Sequence, residues 1–128
     1  MNTVLKLPRG RAVALDGPAV VMGILNATPD SFYAASRSTS LDKAVEAAAT
    51  MVVAGAGIID VGGESTRPGS AYVSAEEEMD RVVPVVEAIR RRWDIPVSVE
   101  TRKDAVASAA IDAGAELVND VAALEDLP

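Results

Sequence analysis

A chain of 128 residues, 49% hydrophobic and 24% charged, fits one globular domain, and none of its apolar runs approaches the roughly 20 residues that span a bilayer. A net charge of −7, with no basic cluster beyond Arg90-Arg91-Arg92, argues against nucleic acid as a partner and makes that run a solvated helix end. With neither cysteine nor histidine, disulfides, thiolate nucleophiles, imidazole bases and the usual zinc ligands are excluded, so any chemistry runs on carboxylates, Lys/Arg, amides, hydroxyls, backbone groups or a bound hard cation. Met1 to Gly10 mixes Lys6 and Arg9 with short apolar pieces and does not read as a secretory signal, which sets the expectation of a cytoplasmic protein without a membrane partner.

In chain order, Thr3 to Leu7 and Ala12 to Leu15 flank Pro8-Arg9-Gly10-Arg11 and predict a short hairpin able to plug the bottom of a barrel. Four strand-sized apolar runs follow: Ala19 to Leu25, Gly57 to Val61, Ile95 to Val99, and Glu116 to Val118 with its flanks. Their near-continuous Val and Ile content, with little polar alternation, suits strands covered on both faces. Helical patterns lie between them. The first is predicted from Ser40 or Leu41, with an apolar stripe of Leu41, Val45, Ala48 and Val52, to a stop at Gly55. Ser74 with Glu77 gives a capping-box signature for the second, whose expected buried face is Met79, Val82, Val83, Val86 and Ile89. Pro84 inside that pattern predicts a kink or a loose turn. The third takes Thr101 as N-cap and Asp104 in its first turn, turns Val106, Ala109, Ala110 and Ala113 inward, and ends at Gly114.

The resulting βαβαβαβ order makes all four strands parallel and brings their C-terminal ends to one side. That side collects Asn26, Asp60, Glu64, Glu100, Asn119 and Asp120, the clustering that a (β/α) barrel shows at its catalytic face. The plainer explanation is polar capping of strand ends before loops.

Met22 to Phe32 reads MGILNATPDSF and Asp60 to Gly69 reads DVGGESTRPG; SVET follows at Ser98 to Thr101 and NDV at Asn119 to Val121. In this order and spacing the four segments resemble dihydropteroate synthases, enzymes of folate biosynthesis, and the likeness covers the chain from Val20 onward. The resemblance implies a partial domain over residues 1–128: the first four βα units of a TIM (β/α)8 barrel, a half barrel with an N-terminal hairpin. It also implies a transferase that displaces pyrophosphate from 6-hydroxymethyl-7,8-dihydropterin pyrophosphate with the amine of para-aminobenzoate, with Mg2+ as cofactor.

By the same resemblance, Asn26 is the metal-site asparagine, although an Asn at a strand end also serves simply to satisfy backbone groups. Thr66 and Arg67 are loop residues that contact the pterin substrate and its pyrophosphate or the aminobenzoate, and Pro68-Gly69 is a turn that presents Arg67 over the rim; an exposed loop charge is the ordinary alternative. Glu100 and Asn119 stand where the family has its pterin-reading carboxylate and amide. The usual residue at Glu100 is aspartate, and the extra methylene moves the carboxylate by roughly 1.5 Å. A helix-initiating carboxylate beside Thr101 is the alternative reading of Glu100. Tyr33-Ala34-Ala35-Ser36 replaces the family's polar, Gly-rich continuation of the first loop, and Ala122-Ala123 is a milder departure after NDV.

A complete barrel has eight strands and about 250 residues. The family's later carboxylate, lysine and arginine segments have no counterpart here, so the expectation is a chain inactive alone, completed by self-association as a homo-oligomer or by a complementary C-terminal half. The open strand edges and apolar inner face of a half barrel favour such pairing. Two other functions stay open: a non-catalytic pterin-binding or self-assembling module and, more remotely, a methyl-tetrahydrofolate methyltransferase on a related barrel.

Overall fold

A computed structural model describes residues 3–28, 37–65, 69 and 72–120. Val4–Lys6 (β1) and Ala12–Ala14 (β2) pair antiparallel with Leu5 opposite Val13, around one 3-10 turn at Pro8–Gly10. Reversing the chain so tightly puts Arg9 and Gly10 at positive φ, 61° and 73°. Arg11 then ties the hairpin to the body: its guanidinium donates to the Asp94 carbonyl at 3.0 Å and pairs with the carboxylates of Asp94 at 3.2 Å and Glu116 at 2.8 Å.

Met22–Asn26 (β3), Ile58–Gly62 (β4), Val97–Glu100 (β5) and Leu117–Asn119 (β6) form one parallel sheet in sequence order. Between them run Arg37–Val53 (α1), Ala75–Arg92 (α2) and Asp104–Ala113 (α3). Strand side chains alternate in direction. Leu25, Ile59, Val61, Val97 and Val99 therefore share the face against the helices, where they meet Ala44, Ala48, Val82, Val86, Ile89 and Ala110 in one core. The small alanines let helices approach the sheet, and each fully buried Val or Ile contributes about 1.5–3 kcal/mol. Asp94 and Glu116 precede β5 and β6, so the hairpin is fastened at the strand-start end of the sheet.

The expected boundaries hold with local corrections. The first helix begins three residues before Ser40, at Arg37, and ends as predicted: Gly55 takes φ 100° while the Ala56 amide donates to the Met51 carbonyl at 3.0 Å. Ser74 caps α2, its hydroxyl accepting from the Glu77 amide at 3.2 Å, and the helix continues as one element through Pro84. Packing against two strands outweighs the lost donor. The buried face of α2 is turned from the expected one: Glu78, Val82, Val85, Val86, Ala88 and Ile89 are buried, and Met79 and Val83 only partly so. Thr101 does not cap α3. Lys103 occupies the N-cap position, and the Thr101 hydroxyl, buried, instead accepts from the Lys103 amide at 3.1 Å. The last strand, Leu117–Asn119, falls within the expected run and its flank, and Glu116 is held by arginines at the strand start. Arg90 likewise departs from the solvated helix end read for it, bonding the Ile95 carbonyl and Glu116, whereas Arg91 and Arg92 are exposed.

Candidate functional site at the strand ends

The sheet register builds the site. Asn26 pairs with Gly62, Gly62 with Glu100, and Glu100 with Asn119, so four residues from four strands lie in one row at the C-terminal edge. All four share the face turned away from the helices, and at about 4.8 Å per strand the row spans roughly 14 Å. The Ala27 amide donates to the Gly62 carbonyl at 2.7 Å and the Thr101 amide to the Asn119 carbonyl at 3.2 Å, which fixes the row's two ends. Sequence reasoning placed Asn26, Glu100 and Asn119 at the rim; the structure brings all three into this single row. Asn26 and Asn119 are exposed and Glu100 partly so.

Gly62 matters by what it lacks. A Cβ there would stand 3.6 Å from the Glu100 Cβ and 3.9 Å from its Oε2, so the Glu100 side chain leans over bare backbone toward β4. One layer below, Ile24, Asp60, Ser98 and Leu117 form the next row. The Ser98 hydroxyl donates to Asp60 Oδ1, both residues are buried, and Asp60 Oδ2 is buried without a hydrogen-bond donor. Burial and the neighbouring Asp60 carboxyl push Glu100 up to about 7. The expectation of an apolar, exposed inner face is therefore half right: Ile24 is 59% and Met22 39% exposed, but the centre of that face is polar and closed.

A second group of charges braces the loop that leaves β4. Glu64 pairs with Lys103, and with Arg102 at 3.1 Å; Lys103 also approaches Glu78 at 3.6 Å, which accepts from the Thr101 hydroxyl at 2.8 Å. The Tyr72 ring lies 4.8 Å from the Lys103 ammonium and 5.4 Å from the Arg102 guanidinium, the separations of cation–π contacts. Arg81 donates to the Gly63 carbonyl at 2.8 Å. Burial raises Glu64, but Lys103 and Arg102 outweigh it and hold the carboxyl below its ordinary range, whereas burial pushes Glu78 above it. This brace sits directly before Thr66 and Arg67, which lie outside the described residues, as does the altered segment Tyr33-Ala34-Ala35-Ser36.

Sequence reading missed Glu78 and the coupling of Asp60 to Glu100. Glu78 lies on the same turn-by-turn stripe as Val82, Val85 and Ile89, a spacing that marks it as inward-facing. Asp60 interrupts the apolar run Ile58-Ile59-Asp60-Val61, an internal charge that only a built polar environment tolerates. The geometry also decides one alternative: Glu100 ends β5 four residues before α3 begins, so it is not a helix-initiating carboxylate.

A divalent cation finds limited ligands here. Among the described residues no group of three or more acidic, His or Cys side chains is placed to hold a metal. The Asn26 amide oxygen suits a hard cation only where phosphate oxygens and water complete the coordination.

The family model for pterin binding enzymes matches residues 22–128. The dihydropteroate synthase of Streptococcus pyogenes serotype M18 is 53% identical over 112 residues, 88% of this chain and 42% of the relative. A probable bifunctional folylpolyglutamate synthase/dihydropteroate synthase of Haloferax volcanii is 59% identical over 111 residues, 87% of this chain and 13% of that protein. Among solved structures, Xanthomonas albilineans dihydropteroate synthase with 4-aminobenzoic acid superposes with a TM-score of 0.86 at 45% identity, over 93% of this chain and 44% of that one. Yersinia pestis dihydropteroate synthase in a sulfonamide drug complex gives 0.84 at 49%, over 97% and 44%. The chain thus spans about two fifths of the synthases it matches, and its sheet and helices are part of a (β/α) barrel.

Proposed function

The chain belongs to the pterin-binding enzyme family, and from that premise we propose that it carries the N-terminal part of a dihydropteroate synthase site, joining 6-hydroxymethyl-7,8-dihydropterin pyrophosphate to para-aminobenzoate in the cytoplasm. The observation that carries this reading is the row Asn26, Gly62, Glu100, Asn119: an amide and a carboxylate side by side offer the acceptors and donors that a pterin's fixed edge requires, and a second amide stands at the far end. Glu100 and Asn119 hold the pterin. Asn26 lends an oxygen to a magnesium ion that arrives with the pyrophosphate, where the ion would offset the charge growing on the leaving group. Thr66 and Arg67, on the loop braced by Glu64 and Lys103, contact the pyrophosphate or the aminobenzoate.

Two fifths of a barrel supplies part of this chemistry, so turnover requires the remaining strands from a C-terminal part or from a second copy of the chain. Calorimetric titration of the chain with the pterin pyrophosphate and Mg2+ tests the binding half, with saturable heat expected and its absence counting against the site. Complementation of a strain lacking the synthase tests the rest: growth is expected only when the C-terminal part is co-expressed, and growth on this chain alone would overturn the division of labour.

A further inference from the structure

We propose that Glu78, buried at the start of α2, is a positioning residue: through the Thr101 hydroxyl it holds the end of β5, so that Glu100 and Asn119 present a fixed spacing to their ligand. The ligand half rests on the pterin reading of those two residues. The link from Glu78 to the strand end does not.

Stability alone gives no reason for a carboxylate at this position. Glu78 is fully buried and lies one turn before Val82 on the stripe that continues through Val85, Val86 and Ile89, so an apolar side chain there would join the core. Its donors are few. Oε2 accepts from the Thr101 hydroxyl at 2.8 Å, whereas Oε1 is buried without a hydrogen-bond donor and lies 3.6 Å from the Lys103 ammonium, which is itself paired with Glu64. Glu116, the other buried glutamate among the described residues, receives two guanidiniums. The positive N-terminus of α2 offsets part of the cost of burying Glu78. What the carboxylate supplies that a leucine would not is one directed acceptor, aimed at Thr101.

That acceptor sets Thr101. Its hydroxyl donates to Glu78 and accepts from the Lys103 amide at 3.1 Å, which fixes the side chain, while its backbone amide donates to the Asn119 carbonyl at 3.2 Å. Thr101 directly follows Glu100, and Asn119 pairs with Glu100 across the two strands. The bonds thus run from α2 to the end of β5 and on to the end of β6. Glu78 also abuts the exit of β4: a Cβ on Gly63 would lie 3.1 Å from Glu78 Cγ, and Gly63 follows Gly62, the partner of Glu100 in the row. One buried side chain therefore bears, directly or through Thr101, on the ends of three neighbouring strands, and it does so from the helix side of the sheet.

The consequence is lost aim rather than a lost fold. Without the acceptor the Thr101 hydroxyl is free to turn, the bond from its amide to Asn119 opens more often, and Glu100 and Asn119 sample a wider range of spacings, while Lys103 keeps Glu64 as its partner. A glutamine at this position retains an oxygen for Thr101 and gives up only the charge. A ligand that bonds Glu100 and Asn119 together is sensitive to their spacing; one resting on a single residue is not.

Amide hydrogen exchange, followed by NMR on the chain without ligand, reads the link. Glu78→Leu should speed exchange of the Thr101 amide by about tenfold, and Glu78→Gln should stay within about threefold of the parent. The Ile59 and Glu116 amides, bonded to the Pro96 and Val97 carbonyls at the strand starts, should keep their parent rates in both variants. An unchanged Thr101 amide in Glu78→Leu, or an equal acceleration of all three amides, overturns the proposal. Should Glu78→Leu fail to fold, Thr101→Val breaks the same bond from the other side and decides by the same readout. Calorimetry with pterin itself reads the ligand half: affinity about tenfold weaker in Glu78→Leu and recovered in Glu78→Gln is expected, and affinity equal to the parent in Glu78→Leu overturns it. Absence of pterin binding by the parent overturns the functional reading and the ligand half with it, whereas the exchange rates still decide the link.

Discussion

Glu116 and Glu100 are the same residue type at opposite ends of one sheet, and their surroundings are opposite as well. At the strand starts, Glu116 is buried against Arg11 at 2.8 Å and Arg90 at 3.3 Å. At the strand ends, burial and the Asp60 carboxyl raise Glu100, and among the described residues no cation offsets them. A buried carboxylate supplied with two guanidiniums is a fastening, which here joins the hairpin, α2 and the start of β6. A carboxyl left beside a second one is poorly placed until a proton or a donor-bearing ligand arrives. The sheet thus sets a fastened end against an unfastened one along the strand axis, the division that (β/α) barrels show between their two faces.

The comparison breaks most visibly at the fastened end. Glu116→Ala leaves two partly buried arginines without their shared partner and should lower the unfolding free energy by about 3 kcal/mol, read by urea denaturation. Glu100→Ala, by the same measurement at neutral pH, should cost well under that. Equal losses would show that the two ends are not divided as argued. A smaller effect is expected where the binding end rests on the core. A Cβ on Gly63 would lie 2.8 Å from Val82 Cγ2 and 3.2 Å from the Glu78 carbonyl oxygen. The carbonyl belongs to α2 and cannot yield, so Gly63→Ala should destabilise by about 1–3 kcal/mol in a thermal melt. Gly62→Ala meets only ordinary contacts at 3.6–3.9 Å and should melt close to the parent.

Much of this was legible in the sequence, for reasons particular residues make plain. The Ser74 cap, Gly55 and Gly114 stops and the four apolar runs are local signals, and the elements follow them to within a few residues. Asn26, Glu100 and Asn119 were readable as rim residues because strand ends in a parallel sheet must share a side. Register was not readable. Nothing local states that Gly62 lies between Asn26 and Glu100, or that Asp60 lies level with Ser98, since pairing between strands some 35 residues apart is set by how the helices pack. The Thr101 assignment failed for a related reason: its hydroxyl is claimed by Glu78, a partner 23 residues away that capping rules do not consider.

The smallest expected effect is also the most specific to the unfastened end. The Glu100 carboxyl is raised to about 7 in the folded chain, against an ordinary value of 4.5, so between those values the native state holds a proton that the unfolded state has lost. Its contribution to stability is therefore fully present below about 4.5 and disappears as pH rises to about 7. Glu64, held low by Lys103 and Arg102, has the reverse sign: its contribution is present above 4.5 and fades as the solution is acidified through its lowered midpoint. Urea unfolding from pH 4 to pH 8 should show the parent losing stability relative to Glu100→Gln as pH rises, by a modest amount because Glu100 is partly exposed and solvent screens it. Parallel curves would mean that Glu100 carries no extra proton in the folded chain and that the contrast with Glu116 is one of position alone.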